Sequence, residues 1–137
     1  MRAPPNLTIR AVMGLLALIG LVGVLPVSLA ELAGSACPHL GPVPACHLVS
    51  LAYGTVLVLV LLRRLWKPWL FVVAWSPIFL LAAAGSGLEL SGYGTCPQTE
   101  SGIPKCFFSL GLAVALFVPF LFHLRQARPS STRGDHT

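Results

Sequence analysis

Four long apolar segments, separated by short polar stretches, dominate the pattern of hydrophobic and polar positions along the chain. They cover roughly residues 11–29, 44–62, 69–88 and 106–124. Each is close to the ~20 residues that a helix needs to cross about 30 Å of hydrocarbon at about 1.5 Å per residue. No charged side chain lies deep within a segment, and none of the segments alternates as a strand would. The pattern therefore predicts four membrane-spanning helices.

The composition supports lipid as the solvent for much of the chain. Of the 137 residues, 55% are hydrophobic and 9% are charged, whereas soluble domains carry about 25% charged residues. The net charge of +5 does not indicate a nucleic-acid partner, because the basic residues lie at the ends of apolar segments and form no stripe with interleaved aromatics. The expected partner is a lipid bilayer.

The placement of Lys and Arg predicts the orientation. Of the nine basic residues, only Lys105 falls on the side that also carries Glu31, Glu89 and Glu100. The remaining basic residues are Arg2, Arg10, Arg63, Arg64, Lys67, Arg125, Arg128 and Arg133. The positive-inside rule then places both termini in the cytoplasm and the two other connections outside.

This orientation divides the chain into four parts. Residues 1–10 are predicted to be a cytoplasmic N-terminus, and residues 11–66 a first helical hairpin. Residues 67–124 form a second helical hairpin, and residues 125–137 a polar tail that we expect to be disordered.

The two outer connections are near-copies of each other. The first reads ELAGSACPHLGPVPAC from Glu31 to Cys46, and the second reads ELSGYGTCPQTESGIPKC from Glu89 to Cys106. Self-similarity at a fixed period indicates a repeated structural unit. The predicted fold class is therefore all-α: an integral membrane four-helix bundle made of two tandem helix–cysteine loop–helix repeats.

The N-terminal segment has an alternative interpretation as a cleaved signal peptide. Residues 1–30 combine a basic start, an apolar stretch and the small-residue sequence Ser28-Leu29-Ala30. The repeat favours retention of this helix, because Glu31 has its counterpart in Glu89, whose preceding helix cannot be a cleaved signal.

All four cysteines fall in the outer loops. The extracytoplasmic side is normally oxidising, as in a bacterial periplasm, so we expect disulfides and a bacterial inner-membrane location. Four cysteines allow three pairings. The repeat favours Cys37 with Cys46 and Cys96 with Cys106, since each half then closes on itself, and pairing between the halves is the alternative.

Two functional classes follow from the loop residues alone. Matched disulfides at matched sites suit a non-catalytic structural or assembly subunit of a larger membrane complex. In a reduced first loop, the thiols of Cys37 and Cys46 with the imidazoles of His39 and His47 form a Cys2His2 set suited to zinc or copper, as in a small transporter or metal handler.

A second matched polar feature is the glutamate that ends each odd-numbered helix. A carboxylate at a helix C-terminus is unfavourable with respect to the helix dipole. Glu31 and Glu89 are therefore expected to be solvated charges or acceptors for loop amides, with a proton or cation site as the functional alternative.

Four predicted helices with two cysteine pairs resemble the membrane thiol oxidoreductases of the DsbB and vitamin K epoxide reductase type. The resemblance covers topology and cysteine count, because those families carry a C-x-x-C and this chain has C-x8-C and C-x9-C. It implies electron transfer from an extracytoplasmic thiol protein to a quinone, with the four cysteines as catalytic residues. The quinone-proximal sulfur is then expected to be that of Cys46 or Cys106, since each begins a helix whose dipole favours a thiolate.

Overall fold

The fold was analysed in a computed structural model, which describes residues 5–34, 37–64, 67–94 and 96–128. The described residues form four helices, and two antiparallel strands of two residues each lie in the first cysteine loop. The elements are α1 (Pro5–Leu32), β1 (His39–Leu40), β2 (Val43–Pro44), α2 (Ala45–Leu61), α3 (Pro68–Leu90) and α4 (Lys105–Ala127).

All four predicted helices are present, and the differences lie at their ends. Helix α1 begins at Pro5, inside the predicted N-terminus, and α4 runs to Ala127, into the predicted tail. Both extend beyond their apolar segments because polar residues continue a helix readily where no proline or glycine stops it. The rest of the predicted tail, residues 129–137, lies outside the described residues.

Three of the helices are long and apolar enough to cross a membrane. These are α1, with a mean hydropathy of 2.5, α3 with 1.8 and α4 with 2.2. Helix α2 has only 17 residues and a length of about 25 Å, slightly short of the hydrocarbon thickness. Four membrane-spanning helices were predicted, and three helices of the described residues are long and apolar enough to cross a membrane.

Each cysteine loop begins with a glycine that ends the preceding helix. Gly34 follows α1 with φ 95°, and Gly92 follows α3 with φ 86°. Their amides donate to the carbonyl oxygens of Glu31 and Glu89, both at 3.0 Å. This left-handed conformation favours glycine and is a common helix terminator, which explains the Gly of the shared Glu-Leu-x-Gly sequence.

The helices contact one another in a closed cycle, α1 on α2, α2 on α3, α3 on α4 and α4 on α1. Buried side chains from all four helices form one core, which includes Met13, Tyr53, Phe71, Ile78 and Leu116. Large apolar side chains on the outer surfaces are exposed. Apolar residues around the whole circumference are typical of helices in lipid.

Stacked aromatic rings join α3 to α4. The Trp75 ring lies 4.8 Å from Phe117, and the Phe71 ring lies 4.0 Å from Phe120. The Trp75 indole Nε1–H donates to the carbonyl oxygen of Ala113 at 2.8 Å. The Trp75 side chain is half-buried, and an indole N–H shielded from water normally needs such a partner. This contact therefore links α3 to α4.

Replacing Trp75 with phenylalanine is expected to lower the unfolding free energy by about 1 kcal/mol, because the hydrogen bond to α4 is lost. The matched control is Trp69→Phe, since the Trp69 side chain is 60% exposed. Unfolding of both variants in detergent micelles measures the difference. An equal effect at the two positions contradicts the role assigned to the Trp75 indole.

Candidate functional site

The two disulfides lie at one end of the molecule. Cys37 is bonded to Cys46 and Cys96 to Cys106, with Cα–Cα distances of 6.5 and 6.1 Å. This is the pairing that the repeat favours. Because α2 begins at Ala45 and α4 at Lys105, the second cysteine of each pair lies in the first turn of a helix, as expected.

The two loops close in the same way. The amide of Ala45 donates to the carbonyl of Pro38, and the amide of Lys105 donates to the carbonyl of Pro97, both at 3.0 Å. His39 pairs with Pro44 in the first loop, and Gln98 pairs with Pro104 in the second. The prolines at positions 44 and 104 precede helices in extended conformations. The two cysteine loops therefore have similar backbone hydrogen bonding around their disulfides.

The two glutamates at the ends of α1 and α3 each accept a hydrogen bond from the first cysteine of the loop that follows. The Glu31 carboxylate accepts the Cys37 N–H at 2.7 Å, and the Glu89 carboxylate accepts the Cys96 N–H at 3.4 Å. Both cysteines are buried. The carboxylates therefore supply the acceptors that buried amides require.

Removing the Glu31 carboxylate is expected to destabilise the protein more than removing that of Glu89. A hydrogen bond to a charged group contributes about 1.5–3 kcal/mol, and the 3.4 Å contact of Glu89 is near the upper limit for such bonds. Unfolding of Glu31→Ala and Glu89→Ala in detergent micelles measures both losses. A larger loss for Glu89→Ala contradicts this ranking.

The histidines proposed as metal ligands lie in different environments. The His39 Nε2 is 3.2 Å from the Glu31 carboxylate, and the His39 side chain is 53% exposed. His47 belongs to α2, and its Nδ1 is buried with no hydrogen-bond partner among the described residues. Cys37 and Cys46 are joined as a disulfide. Within the described ranges, no three His, Cys, Asp or Glu side chains are grouped to hold a metal ion.

A partly open cavity of about 480 Å³ lies beside the disulfides, between the two halves of the chain. Its walls are almost wholly apolar. Cys46, Cys96 and Cys106 all border it, so both disulfides reach the same space. Among the other lining residues are Gly20, Val24 and Val27 of α1, Val49 and Tyr53 of α2, Leu81, Gly85 and Leu88 of α3, Ser109 and Leu112 of α4, and His39, Thr99 and Lys105.

Tyr53 and Ser109, which both line this cavity, carry hydroxyl groups that can form hydrogen bonds. The Tyr53 hydroxyl lies 3.5 Å from that of Ser109, which joins α2 to α4. Neither residue was predicted as a site residue, and the helix pattern alone gives no signal for them. An apolar space with a few placed polar groups is typical of sites for small organic ligands.

Two serine hydroxyl groups, those of Ser28 and Ser50, lie next to each other and donate hydrogen bonds to the backbone carbonyl of Cys46. The Ser28 hydroxyl donates to the Cys46 carbonyl at 3.0 Å and lies 2.6 Å from the Ser50 hydroxyl. Ser50 also donates to the Cys46 carbonyl, at 2.9 Å. Ser28, which the signal-peptide interpretation placed at a cleavage site, is therefore buried inside a continuous α1 and bonded to α2.

The second disulfide packs directly on α3. A Cβ atom on Gly85 would lie 2.8 Å from Cys106 Sγ and 3.1 Å from Cys96 Sγ. Only a glycine allows the helix backbone to approach the sulfurs this closely. The disulfide is thus held between the cavity and the helix.

Comparison with protein-family models, curated proteins and solved structures gave no significant match. The cysteine loops and the cavity are therefore the features of this protein that bear on its function.

Proposed function

We propose that this chain is a membrane thiol–disulfide oxidoreductase that passes electrons from an extracytoplasmic thiol protein to a quinone. The four helices form a bundle of two tandem hairpins in a bacterial inner membrane, with both termini in the cytoplasm. The apolar surfaces of α1, α3 and α4 support the membrane location. The excess of Lys and Arg on one side supports the orientation.

One observation carries the redox proposal: three of the four disulfide-bonded cysteines border a single apolar cavity. Disulfides that only stabilise the fold do not need to border the same cavity. Cysteines that exchange electrons with a ligand must contact that ligand. A quinone ring is flat and apolar with two carbonyl oxygens. The cavity matches this chemistry, since its apolar walls include the hydroxyl groups of Tyr53 and Ser109 as hydrogen-bond donors.

The reaction balances without any other reactant. An incoming protein dithiol reduces one disulfide by exchange through a mixed disulfide, and leaves as a disulfide itself. The resulting cysteine pair then gives two electrons and two protons to the quinone. The cysteines return to the disulfide, and the quinone becomes a quinol. The helix N-termini at Cys46 and Cys106 favour the thiolate that leaves when the incoming thiolate attacks the disulfide, and that later reacts with the quinone.

The competing proposal is that both disulfides are inert staples of a structural or assembly subunit. The matched contacts of Glu31 with Cys37 and of Glu89 with Cys96 favour it, because they fix the loops in place. The two proposals differ in whether quinone reoxidises the cysteines after reduction.

Single-turnover quinone reduction tests the proposal. The full chain in liposomes is reduced, freed of reductant and mixed with a short-chain quinone while quinol formation is recorded. We expect quinol formation up to two equivalents per chain, and loss of the first pair's equivalent in the variant Cys37→Ser, Cys46→Ser. A rate equal to that of liposomes without protein contradicts the proposal and supports the structural alternative.

A further inference from the structure

The two cysteine loops differ in one ionisable group at the rim of the cavity. His39 lines the cavity, and its Nε2 lies 3.2 Å from the Glu31 carboxylate. The Glu31 side chain is only 12% exposed, so this carboxylate is held in a partly desolvated position. Its other oxygen accepts the Cys37 N–H at 2.7 Å. The imidazole, the carboxylate and the first cysteine pair thus form one connected group.

The second loop keeps the backbone of this arrangement and loses its imidazole. Gln98 takes the backbone position of His39, because it pairs with Pro104 as His39 pairs with Pro44. Glu89 takes the place of Glu31 and accepts the Cys96 N–H. A glutamine cannot take up or release a proton near neutral pH. The halves are therefore similar in structure and different in proton chemistry.

Quinone reduction creates a need for such a group. Each quinone oxygen must gain a proton as the electrons arrive, and the walls of this cavity are almost wholly apolar. General acid–base catalysis is effective where a side chain can both accept and release a proton at working pH, and histidine does so most often. Lys105 is the other basic residue that lines the cavity, and it belongs to the second loop, next to Cys106.

We propose that His39, positioned by Glu31, carries protons from the Cys37–Cys46 pair to the quinone. The proposal rests on the quinone-linked function described above. Oxidation of the two thiols of the first pair to the disulfide releases two electrons and two protons. His39 accepts these protons one after the other at Nδ1, since Nε2 faces Glu31, and gives one to each quinone oxygen. The Glu31 carboxylate stabilises the imidazolium that forms between these steps. The first half is then the half that delivers protons to the quinone.

The test compares His39→Gln with Gln98→Ala as the matched control on the other loop. Both variants are reduced in liposomes and mixed with a short-chain quinone, and single-turnover quinol formation is followed at several quinone concentrations. Each pair supplies one equivalent of quinol. We expect His39→Gln to slow the equivalent from Cys37–Cys46 roughly 100-fold, the lower range for a general acid–base group, with little change in the quinone concentration for half-maximal rate. The equivalent from Cys96–Cys106 should form at the wild-type rate. Gln98→Ala should react as the wild type does.

Imidazole rescue separates proton transfer from a structural role. In His39→Ala, added imidazole is expected to restore much of the rate, and Glu31→Gln should slow transfer while still accepting the Cys37 N–H. Wild-type rates in His39→Gln overturn the assignment to His39. A slow His39→Ala variant that imidazole does not restore, with a raised half-saturating quinone concentration, also overturns it. If the wild type itself forms no quinol, the proposed function fails and this inference fails with it.

Discussion

Gly20→Val is expected to lower the unfolding free energy by about 1–3 kcal/mol or more, the usual cost of overpacking a core. A Cβ atom at position 20 would overlap the ring of Tyr53, which is 1% exposed. Both residues line the cavity, so the ring can be displaced into that space. The substitution should therefore separate α1 from α2 or fill the space proposed for the quinone.

The matched control for Gly20 is Gly23→Val on the same helix. Outside the adjacent residues and the neighbouring backbone of α1, no described atom lies within 4 Å of a Cβ built at position 23, so this change should be nearly neutral. Unfolding in detergent micelles measures both variants. Adding Tyr53→Leu to Gly20→Val should recover part of the loss, since the smaller side chain removes the overlap. Equal stability of the two valine variants contradicts the packing described for Tyr53.

Gly85→Ala is expected to destabilise the second disulfide selectively. The added methyl group would lie within 3.1 Å of both Cys96 Sγ and Cys106 Sγ, so either the disulfide or α3 must move. We expect a loss of about 1–3 kcal/mol in unfolding free energy. The Cys96–Cys106 bond should also be reduced at a lower concentration of a mild reductant, while Cys37–Cys46 responds as in the wild type.

Differential alkylation followed by peptide mass spectrometry measures the two disulfides separately. Gly87→Ala is the control, because no described atom outside the adjacent residues and the neighbouring backbone of α3 lies within 4 Å of a Cβ at that position. Unchanged reduction of Cys96–Cys106 in Gly85→Ala would show that α3 does not constrain this disulfide.

The helices were predictable because lipid imposes a simple requirement on sequence. A segment of about 20 apolar residues has to satisfy its own backbone in hydrocarbon, and a helix does so. The loop boundaries were also visible, since Pro44 and Pro104 precede α2 and α4. Within the loops, the repeat was enough to favour Cys37 with Cys46 and Cys96 with Cys106.

The cavity was not predictable, because helices that are apolar on all sides give no signal for which faces meet. The contacts of Gly20 with Tyr53 and of Gly85 with the second disulfide depend on that choice of faces. Ser28 is ambiguous in the sequence for a similar reason. A small residue before Ala30 fits a cleavage site as well as it fits a close contact with α2.

Thiol labelling in intact membranes can show whether a quinone reoxidises the reduced cysteine pairs of this protein. Membranes that contain the full chain are treated with a mild reductant, washed, and incubated with or without a short-chain quinone before a membrane-impermeant maleimide is added. If the protein is a quinone-linked thiol oxidoreductase, we expect the reduced cysteines to be labelled from the extracytoplasmic side. We expect that labelling to be lost when quinone is present. Labelling that quinone leaves unchanged would contradict it.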